Sequence, residues 1–106
     1  VFYNNKYIGI AYSNNDKKCT SHIKLYDFNG KMLMENDTSI AYRNIEFDSN
    51  NEVCVTGESA CEIYTIHGVK KFYHTFDQKL YKVMYKSGIN NYIFIYEGAM
   101  DEVRLK

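Results

Sequence analysis

Histidine side chains are the first candidates for chemistry in this chain, because imidazole can bind a metal ion or act as a general base near neutral pH. The chain holds three, His22, His67 and His74. His67 falls in a turn-forming stretch, His22 at the start of a stretch with strand character, and His74 within another such stretch. No two of them have a spacing that would bring them together, so we expect surface or edge residues.

Acidic side chains in or beside predicted loops are the second candidates, since paired carboxylates can divide the roles of general acid and general base. Five acidic residues hold such positions: Asp48, Glu58, Asp77, Glu97 and Asp101. Loop carboxylates more often accept hydrogen bonds from nearby backbone N–H groups, and we expect that role here. Counting from Asn14 or from Asp16, the sixth position is not the Gly of an EF-hand, so no calcium loop is predicted either.

Nucleophilic side chains complete the survey. Ser59 and Cys61 flank Ala60 close to Glu58, but the stretch lacks the second glycine of a nucleophile elbow. Cys54 and Cys61 are too far apart in sequence for a close-set zinc pair, and strand packing is the expected role of Cys61. A disulfide between these two cysteines stays open, although we expect Cys54 to face away from Cys61. We therefore predict no catalytic, cofactor-binding or metal-binding residue and no cofactor, and the redox states of Cys19, Cys54 and Cys61 are left open.

Composition restricts the class of protein. Basic residues number 13 and acidic residues 13, so the cationic surplus of a nucleic-acid-binding protein is missing and no nucleic-acid partner is expected. No run approaches the roughly 20 apolar residues of a membrane-spanning helix. The chain begins at Val1 instead of Met, so we expect any targeting or anchoring segment to lie outside it. Tyrosine is unusually frequent, with 11 copies, which fits β-strand propensity or an aromatic platform for carbohydrate or protein.

A threefold internal repeat is the strongest structural signal. An alternating apolar stretch follows each of three Asn-Asn pairs, at positions 4–5, 50–51 and 90–91, and a second alternating stretch comes after it. A period of about 40 to 45 residues with several short strands in each repeat is typical of β-propeller blades. The alternation predicts ten strands and no helix, at residues 7–12, 22–28, 31–34, 42–48, 52–56, 61–66, 69–76, 80–86, 92–96 and 102–105.

The repeat also predicts turns and faces. Asn29-Gly30 favours a type I′ hairpin in which both residues take positive φ, and His67-Gly68 holds the matching place in the second repeat. Hydrophobic matching predicts three shared strand faces: Ile8 and Ile10 with Ile23 and Leu25, Val53 and Val55 with Cys61 and Ile63, and Ile93 and Ile95 with Val103 and Leu105.

The predicted fold is all-β, with consecutive four-stranded antiparallel blades of a partial β-propeller. Residues 1–38 would form part of a first blade, 39–78 a complete second blade and 79–106 part of a third, with the inner strand of the first blade expected before Val1 and the outer strand of the third expected after Lys106. A closed propeller needs at least four blades, or about 160 residues, so we expect completion by residues outside the chain or by self-association through open blade faces. A self-contained β-sandwich is the structural alternative.

Three stretches, residues 4–10, 23–30 and 45–57, resemble a family of uncharacterised bacterial propeller-like proteins. The resemblance implies a WD40-like or quinoprotein-like propeller outside the cytoplasm, at the cell surface, behind a membrane anchor. The chain has no Trp, so a quinone docking motif is not expected.

The function expected from these observations is non-enzymatic binding or scaffolding, with a protein or a cell-envelope component as partner. The alternative is an extracytoplasmic enzyme or small-ligand sensor that uses the propeller channel. In that case ionisable groups on the inner strands would converge, and the sequence offers Asn44, Glu46, Lys82 and Lys86 there.

Overall fold

A computed structural model describes residues 1–13, 21–40, 42–86, 90–96 and 98–104. Within these ranges the chain forms eleven strands and no helix, as the alternating pattern predicts. The strands are β1 (Phe2–Tyr3), β2 (Tyr7–Ser13), β3 (Ser21–Asp27), β4 (Met32–Asp37), β5 (Asn44–Phe47), β6 (Val53–Thr56), β7 (Ala60–Tyr64), β8 (Lys70–Thr75), β9 (Leu80–Tyr85), β10 (Asn91–Tyr96) and β11 (Ala99–Arg104).

The strands form three antiparallel sheets, and within each sheet neighbours in sequence are neighbours in space. Sheet 1 has the order β1-β2-β3-β4, sheet 2 the order β5-β6-β7-β8, and sheet 3 the order β9-β10-β11. All ten predicted strands are present with shifted ends. The expectation that the first sheet lacks its inner strand is wrong, because Phe2 and Tyr3 pair with Gly9 and Ile8 as β1.

Sheet 2 lies between the other two sheets, and an apolar layer covers each of its faces. Four consecutive residues of β6, from Val53 to Thr56, are buried, which is possible only where both faces of a strand are covered. The layer shared with sheet 1 consists of Ile23, Leu25, Met34, Ile45, Val53, Val55 and Tyr64. The layer shared with sheet 3 consists of Cys54, Cys61, Ile63, Leu80, Val83, Tyr92, Phe94 and Tyr96.

The predicted strand faces are wrong by one residue in all three sheets. Ile8 is opposite Tyr26 and Ile10 is opposite Lys24, so Gly9 and Ala11 share the face of Leu25 and Ile23. The same slip in sheet 2 pairs Val53 with Tyr64 and Cys54 with Ile63, and in sheet 3 it pairs Tyr92 with Val103. A slip of one residue exchanges the faces of a strand, and apolar residues on both faces leave the hydrophobic pattern unable to fix the register.

This register corrects the expectation for the cysteines. Cys54 and Cys61 share the face that packs on sheet 3, and both thiols are free and buried. Strand packing is thus confirmed for Cys61. Cys19 lies outside the described residues.

The turn at Asn29-Gly30 differs from the predicted type I′ hairpin, because Gly30 takes a φ of 83° and Asn29 stays at negative φ. The Asp27 carboxylate accepts hydrogen bonds from the N–H groups of Asn29 and Lys31, at 2.9 and 3.0 Å. A side-chain acceptor followed three residues later by a left-handed residue is therefore the actual turn motif.

The same turn occurs twice in sheet 2. Thr65 heads the turn before β8, with Gly68 at a φ of 88°, and Asp48 heads the turn before β6, with Asn51 at a φ of 58°. These repeated turns set where the strands on either side of them begin and end.

The outer faces of sheets 1 and 3 remain partly apolar and exposed. On sheet 1, Ile8, Ile10 and Tyr12 form a row with exposed fractions of 37, 39 and 45%. On sheet 3, Met84 and Met100 are exposed at 44 and 67%. Among the described residues no helix is long and apolar enough to cross a membrane.

Candidate functional site

A polar cluster connects sheet 2 to sheet 3 through side chains that are largely withdrawn from solvent. Lys71 Nζ donates to Asn90 Oδ1 at 2.7 Å, to the Tyr92 hydroxyl at 3.2 Å, and to the Glu52 carboxylate. The Tyr92 hydroxyl donates to the other carboxylate oxygen of Glu52. The Glu52 side chain is 7% exposed and Tyr92 is fully buried, so the negative charge of Glu52 depends on these donors.

A β-bulge places Lys71 in this cluster. Phe72 is opposite Ile63 and Lys70 is opposite Tyr64, so Lys71 is the extra residue on β8. In regular alternation with Phe72 its side chain would face sheet 1, and the bulge turns it toward sheet 3. Sheet 1 has a bulge at the matching place, where Leu33 is the extra residue and packs in the apolar layer.

The Asn-Asn pairs that mark the repeats supply further contacts between sheets. Asn51 and Asn90 both take a φ of 58°, a conformation that Asn tolerates better than most residues. Asn51 Oδ1 accepts from Asn4 Nδ2 at 3.0 Å, joining sheet 2 to sheet 1, whereas Asn90 accepts from Lys71 and joins sheet 3 to sheet 2. The repeated Asn-Asn pairs were visible in the sequence, but their hydrogen bonds between sheets were not predicted.

Asp48 lies beside the buried cluster and shares a hydrogen bond with Glu52. Burial, together with the nearby charge of Glu52, raises the pKa of Asp48 to about 6. Burial also acts against ionisation of Glu52, but hydrogen bonds from Lys71 and Tyr92 outweigh it and lower the pKa of Glu52. The two carboxyls thus differ in proton affinity, and Asp48 can gain or lose a proton near neutral pH.

Cys54 adds a thiol to the same neighbourhood, with Sγ donating to Asp48 Oδ2 at 3.7 Å. Burial and the nearby carboxylates raise the pKa of this thiol well above its ordinary value, and burial raises the pKa of Cys61 to about 12. Both thiols are therefore protonated packing groups, because a reactive cysteine needs a lowered pKa.

Asp48 also lines a shallow groove of about 190 Å³ between sheets 2 and 3. Glu46 and Lys82 line it as well, with Lys82 Nζ 3.6 Å from Glu46 Oε1. Two of the four inner-strand groups named from the sequence, Glu46 and Lys82, thus meet. Lys86 forms an ion pair with Glu102 instead, and Asn44 lies exposed at the start of β5.

A second buried glutamate joins sheet 2 to the segment that leads from sheet 1. Glu62 is fully buried, with Lys70 Nζ 2.8 Å from Oε2 and the Ser39 N–H donating to Oε1 at 2.9 Å. Lys70 Nζ also donates to Ser39 Oγ at 2.9 Å. Burial and the charge of Glu62 raise the pKa of Tyr64. Sheet 2 therefore has two buried glutamates that are paired with lysines: Glu52 faces sheet 3, and Glu62 faces the segment that leads from sheet 1.

His22 is the one candidate histidine with charged partners among the described residues. Its Nδ1 lies 2.6 Å from Asp37 Oδ1 and its Nε2 lies 2.8 Å from Glu35 Oε2, while the Tyr12 ring lies 5.3 Å away. Hydrogen bonds that the imidazole donates to Asp37 and then to Glu35 raise the pKa of His22. Both ring nitrogens are engaged, so this imidazole is a surface ion-pair group.

The other candidate residues do not converge. His67 lies in the turn before β8, and His74 lies exposed on β8 near the Phe76 ring, at 4.9 Å. Glu58 and Asp77 are exposed loop residues, as is Ser59.

Burial raises the pKa of Tyr96, and the charge of Asp101, which lies on β11, raises it further. Glu97 lies outside the described residues. Within the described ranges no group of three or more His, Cys, Asp or Glu side chains is arranged to hold a metal ion.

These features define an all-β protein in which a central antiparallel sheet is joined to its two neighbours by apolar layers and by hydrogen bonds around two buried glutamates. The chain matches the family of unknown function DUF5711 over residues 1–105 and belongs to that family. No curated protein and no solved structure gives a significant match.

Proposed function

We propose that this chain is a non-enzymatic binding and scaffold segment of a β-propeller-like protein that acts outside the cytoplasm, on a protein or a cell-envelope component. The observation that supports it most is the position of sheet 2, whose two faces are both covered by sheets of the same kind. Sheets stacked in this way are the building principle of propeller blades.

The outer faces support the proposal further. In sheet 2 the face toward sheet 1 carries Val53 and Val55, both fully buried, and the matching residues of sheet 1 are the exposed Ile8 and Ile10. Covering such a side chain contributes roughly 1.5 to 3 kcal/mol. A further sheet on this face would extend the stack.

Analytical ultracentrifugation of residues 1–106 tests the stacking. We expect association that increases with concentration and that Ile10→Lys weakens by about tenfold, since the charge would be placed in the contact. Val69→Lys is the control, because Val69 is 62% exposed but lies between β7 and β8 of the central sheet, away from the outer face of sheet 1. A monomer at all concentrations, unchanged by Ile10→Lys, would contradict the stacking. A fusion of the intact polypeptide to a reporter enzyme that is active only outside the cytoplasm tests the compartment.

The groove beside Asp48 favours a second candidate function, a small-ligand sensor. It combines the Lys82 cation, the Glu46 anion and a carboxyl that titrates near pH 6. A set of small charged metabolites screened by thermal shift would identify a ligand, and the shift should disappear in Lys82→Met. Shifts that persist in this variant would place the ligand elsewhere.

A further inference from the structure

Three carboxyl groups lie where sheet 2 meets sheet 3, but only two of them form an ion pair. Lys71 binds Glu52, and Lys82 Nζ lies 3.6 Å from Glu46 Oε1. Asp48 is half-buried and takes part in none of the ion pairs among the described residues. A carboxyl that is withdrawn from water and has no cation paired with it favours its neutral, protonated form.

The hydrogen bonds of Asp48 indicate where the proton lies. Its Oδ1 accepts from the backbone N–H groups two and four residues later, both at 2.9 Å, and this fixes the turn before β6. Asp48 also shares a hydrogen bond with the Glu52 carboxyl group. Ionised carboxylates only accept hydrogen bonds, so this bond requires a proton on one of the two groups. Glu52 already accepts from Lys71 and Tyr92, so the proton belongs on Asp48.

This carboxyl pair, Asp48 and Glu52, connects the groove to the contact between the sheets. Asp48 lines the groove of about 190 Å³ together with Tyr85, and the Tyr85 ring meets the Tyr92 ring edge-on at 5.5 Å. The Tyr92 hydroxyl donates to Glu52 and thereby joins β10 to sheet 2. A change of charge at Asp48 therefore acts on the groove and on the inter-sheet contact together.

The strands packed around the carboxyl pair contribute titratable or charged side chains. These are Glu46 on β5, Cys54 on β6, Lys71 on β8, Lys82 and Tyr85 on β9, and Tyr92 on β10. Burial raises the pKa values of Cys54 and Tyr92, so neither loses its proton near neutral pH. Burial, and after it the contact with Glu52, raises the pKa of Asp48 to about 6, so the proton shared by the pair is exchanged in this range.

Loss of that proton has two consequences. The charges of Glu46 and Lys82 cancel in the described lining of the groove, so Asp48 decides whether this lining is neutral or negative. The Asp48 and Glu52 carboxylates would also share the single ammonium of Lys71, and their repulsion acts on the group that binds Tyr92 across the sheets.

We propose that the Asp48 and Glu52 carboxyl pair is a one-proton switch: with the proton the groove is neutral and sheets 2 and 3 are held together, and without it the groove is negative and their contact is weakened. The inference rests on the sensor function proposed as the second candidate, and it names the stimulus of that site as the proton. The proton passes to water, and no other co-reactant is needed.

An NMR titration of the ¹⁵N-labelled chain, from about pH 4.5 to about 7.5, tests the proposal. We expect one common transition in the amide shifts of residues 48–52, 82–85 and 91–92. Protection factors of residues 91–96, which correct for the intrinsic pH dependence of amide exchange, should fall by about tenfold across it, after allowance for solvent screening.

Two variants address the pair itself. In Asp48→Asn the amide oxygen can accept the turn hydrogen bonds and the NH₂ group can donate to Glu52, so the variant imitates the protonated pair without titrating. It should abolish the transition and keep the low-pH protection throughout. Tyr92→Phe removes a donor from the Glu52 carboxylate, so the pair should bind its proton about tenfold more tightly and the transition should move to higher pH.

His74→Gln is the matched control. His74 lies on β8 and lines a second groove with Phe94 of sheet 3, and an imidazole ordinarily titrates in the same range. The transition should be unchanged in this variant.

Three outcomes overturn the proposal. A transition that persists in Asp48→Asn excludes Asp48 as its source, and one that disappears in His74→Gln assigns it to the imidazole. A transition confined to residues 48–52 means that the proton does not act on sheet 3.

The outcome for the sensor function is separate. A metabolite response that requires Lys82, without a proton transition, supports the ligand groove and refutes the switch. A proton transition without any metabolite response supports the switch and refutes a groove for metabolites.

Discussion

Replacing Lys71 by Met should be far more damaging than replacing a lysine in an exposed ion pair. The substitution removes the ammonium that binds Glu52, Asn90 and Tyr92 and leaves a carboxylate that is only 7% exposed. Removing one partner of a buried pair destabilises by about 3 to 5 kcal/mol. Because Lys71 itself is 21% exposed, we expect about 3 kcal/mol in the free energy of unfolding at pH 7.

Urea denaturation followed by circular dichroism measures this loss, provided that the slope of the transition is unchanged. Lys86→Met is the matched control, since Lys86 pairs with Glu102 while the two side chains are 49 and 53% exposed. Such pairs contribute about 0 to 1 kcal/mol. Adding Glu52→Gln to Lys71→Met should recover part of the loss, because the buried charge is then gone. Equal losses for Lys71→Met and Lys86→Met would refute the assignment of Lys71 to a buried inter-sheet cluster.

Three further substitutions or measurements test other parts of the structure. The raised pKa of Asp48 means that its proton stabilises the fold below pH 3.8 and that this stabilisation is lost as the pH rises through about 6. Asp48→Asn should therefore flatten the pH dependence of the free energy of unfolding over that window, by an amount on the order of 1 kcal/mol after allowance for solvent screening. The measurement is the urea midpoint from pH 4 to about 7, and the same pH dependence in the variant and in the original protein would argue against the raised pKa. Gly9→Ala should lower the free energy of unfolding by about 1 to 3 kcal/mol, because the added Cβ would lie 2.1 Å from Phe2 Cζ. This loss of stability should vanish in a Phe2→Ala background, and an equal loss there would exclude the Phe2 contact as its cause. Cys54 and Cys61 should resist thiol reagents at pH 8 until the protein unfolds, since both thiols are buried and have raised pKa values. Mass spectrometry measures the labelling. Rapid labelling of either cysteine in the native protein would contradict the packing of the layer between sheets 2 and 3.

Strand positions were predictable from the sequence because alternation with β-branched and aromatic residues persists through all three repeats. All ten predicted strands are present, and only β1 was missed. Two residues are too few to produce a period-2 pattern. Phe2 and Tyr3 pair as a strand because Gly9 leaves room for the Phe2 ring, which in turn packs 5.0 Å from the Phe47 ring of sheet 2.

Register was not predictable, and the reason is physical. In a sheet with one wet face, the hydrophobic side identifies the core face. Here Ile8 and Tyr26 on one face and Ile23 and Leu25 on the other are all apolar, so two registers satisfy the pattern equally well. The turns headed by Asp27, Asp48 and Thr65 fix the ends of the strands that they join, but the pairs with the mispredicted register, β2–β3, β6–β7 and β10–β11, are joined elsewhere.

The polar clusters were missed because the chemistry of Lys71 depends on a bulge. Its sequence neighbours give no sign that it turns away from regular alternation, and Tyr92 and Glu52 are 40 residues apart. Asn90 did carry a signal, as a member of a repeated Asn-Asn pair, although the repeat alone could not distinguish a turn-forming role from contacts between sheets.

The bulges on β4 and β8 explain why two sheets with the same strand order make different contacts with the next sheet. At the extra residue of the fourth strand, sheet 1 has Leu33 in an apolar layer, and sheet 2 has Lys71 in a buried ion pair. Apolar contact is non-directional and tolerates sliding of one sheet over another, whereas hydrogen bonds from Lys71 to both Asn90 and Tyr92 require one relative position of sheets 2 and 3. The groove beside Asp48 lies between these two sheets. A fixed relative position there is what a preformed binding surface needs.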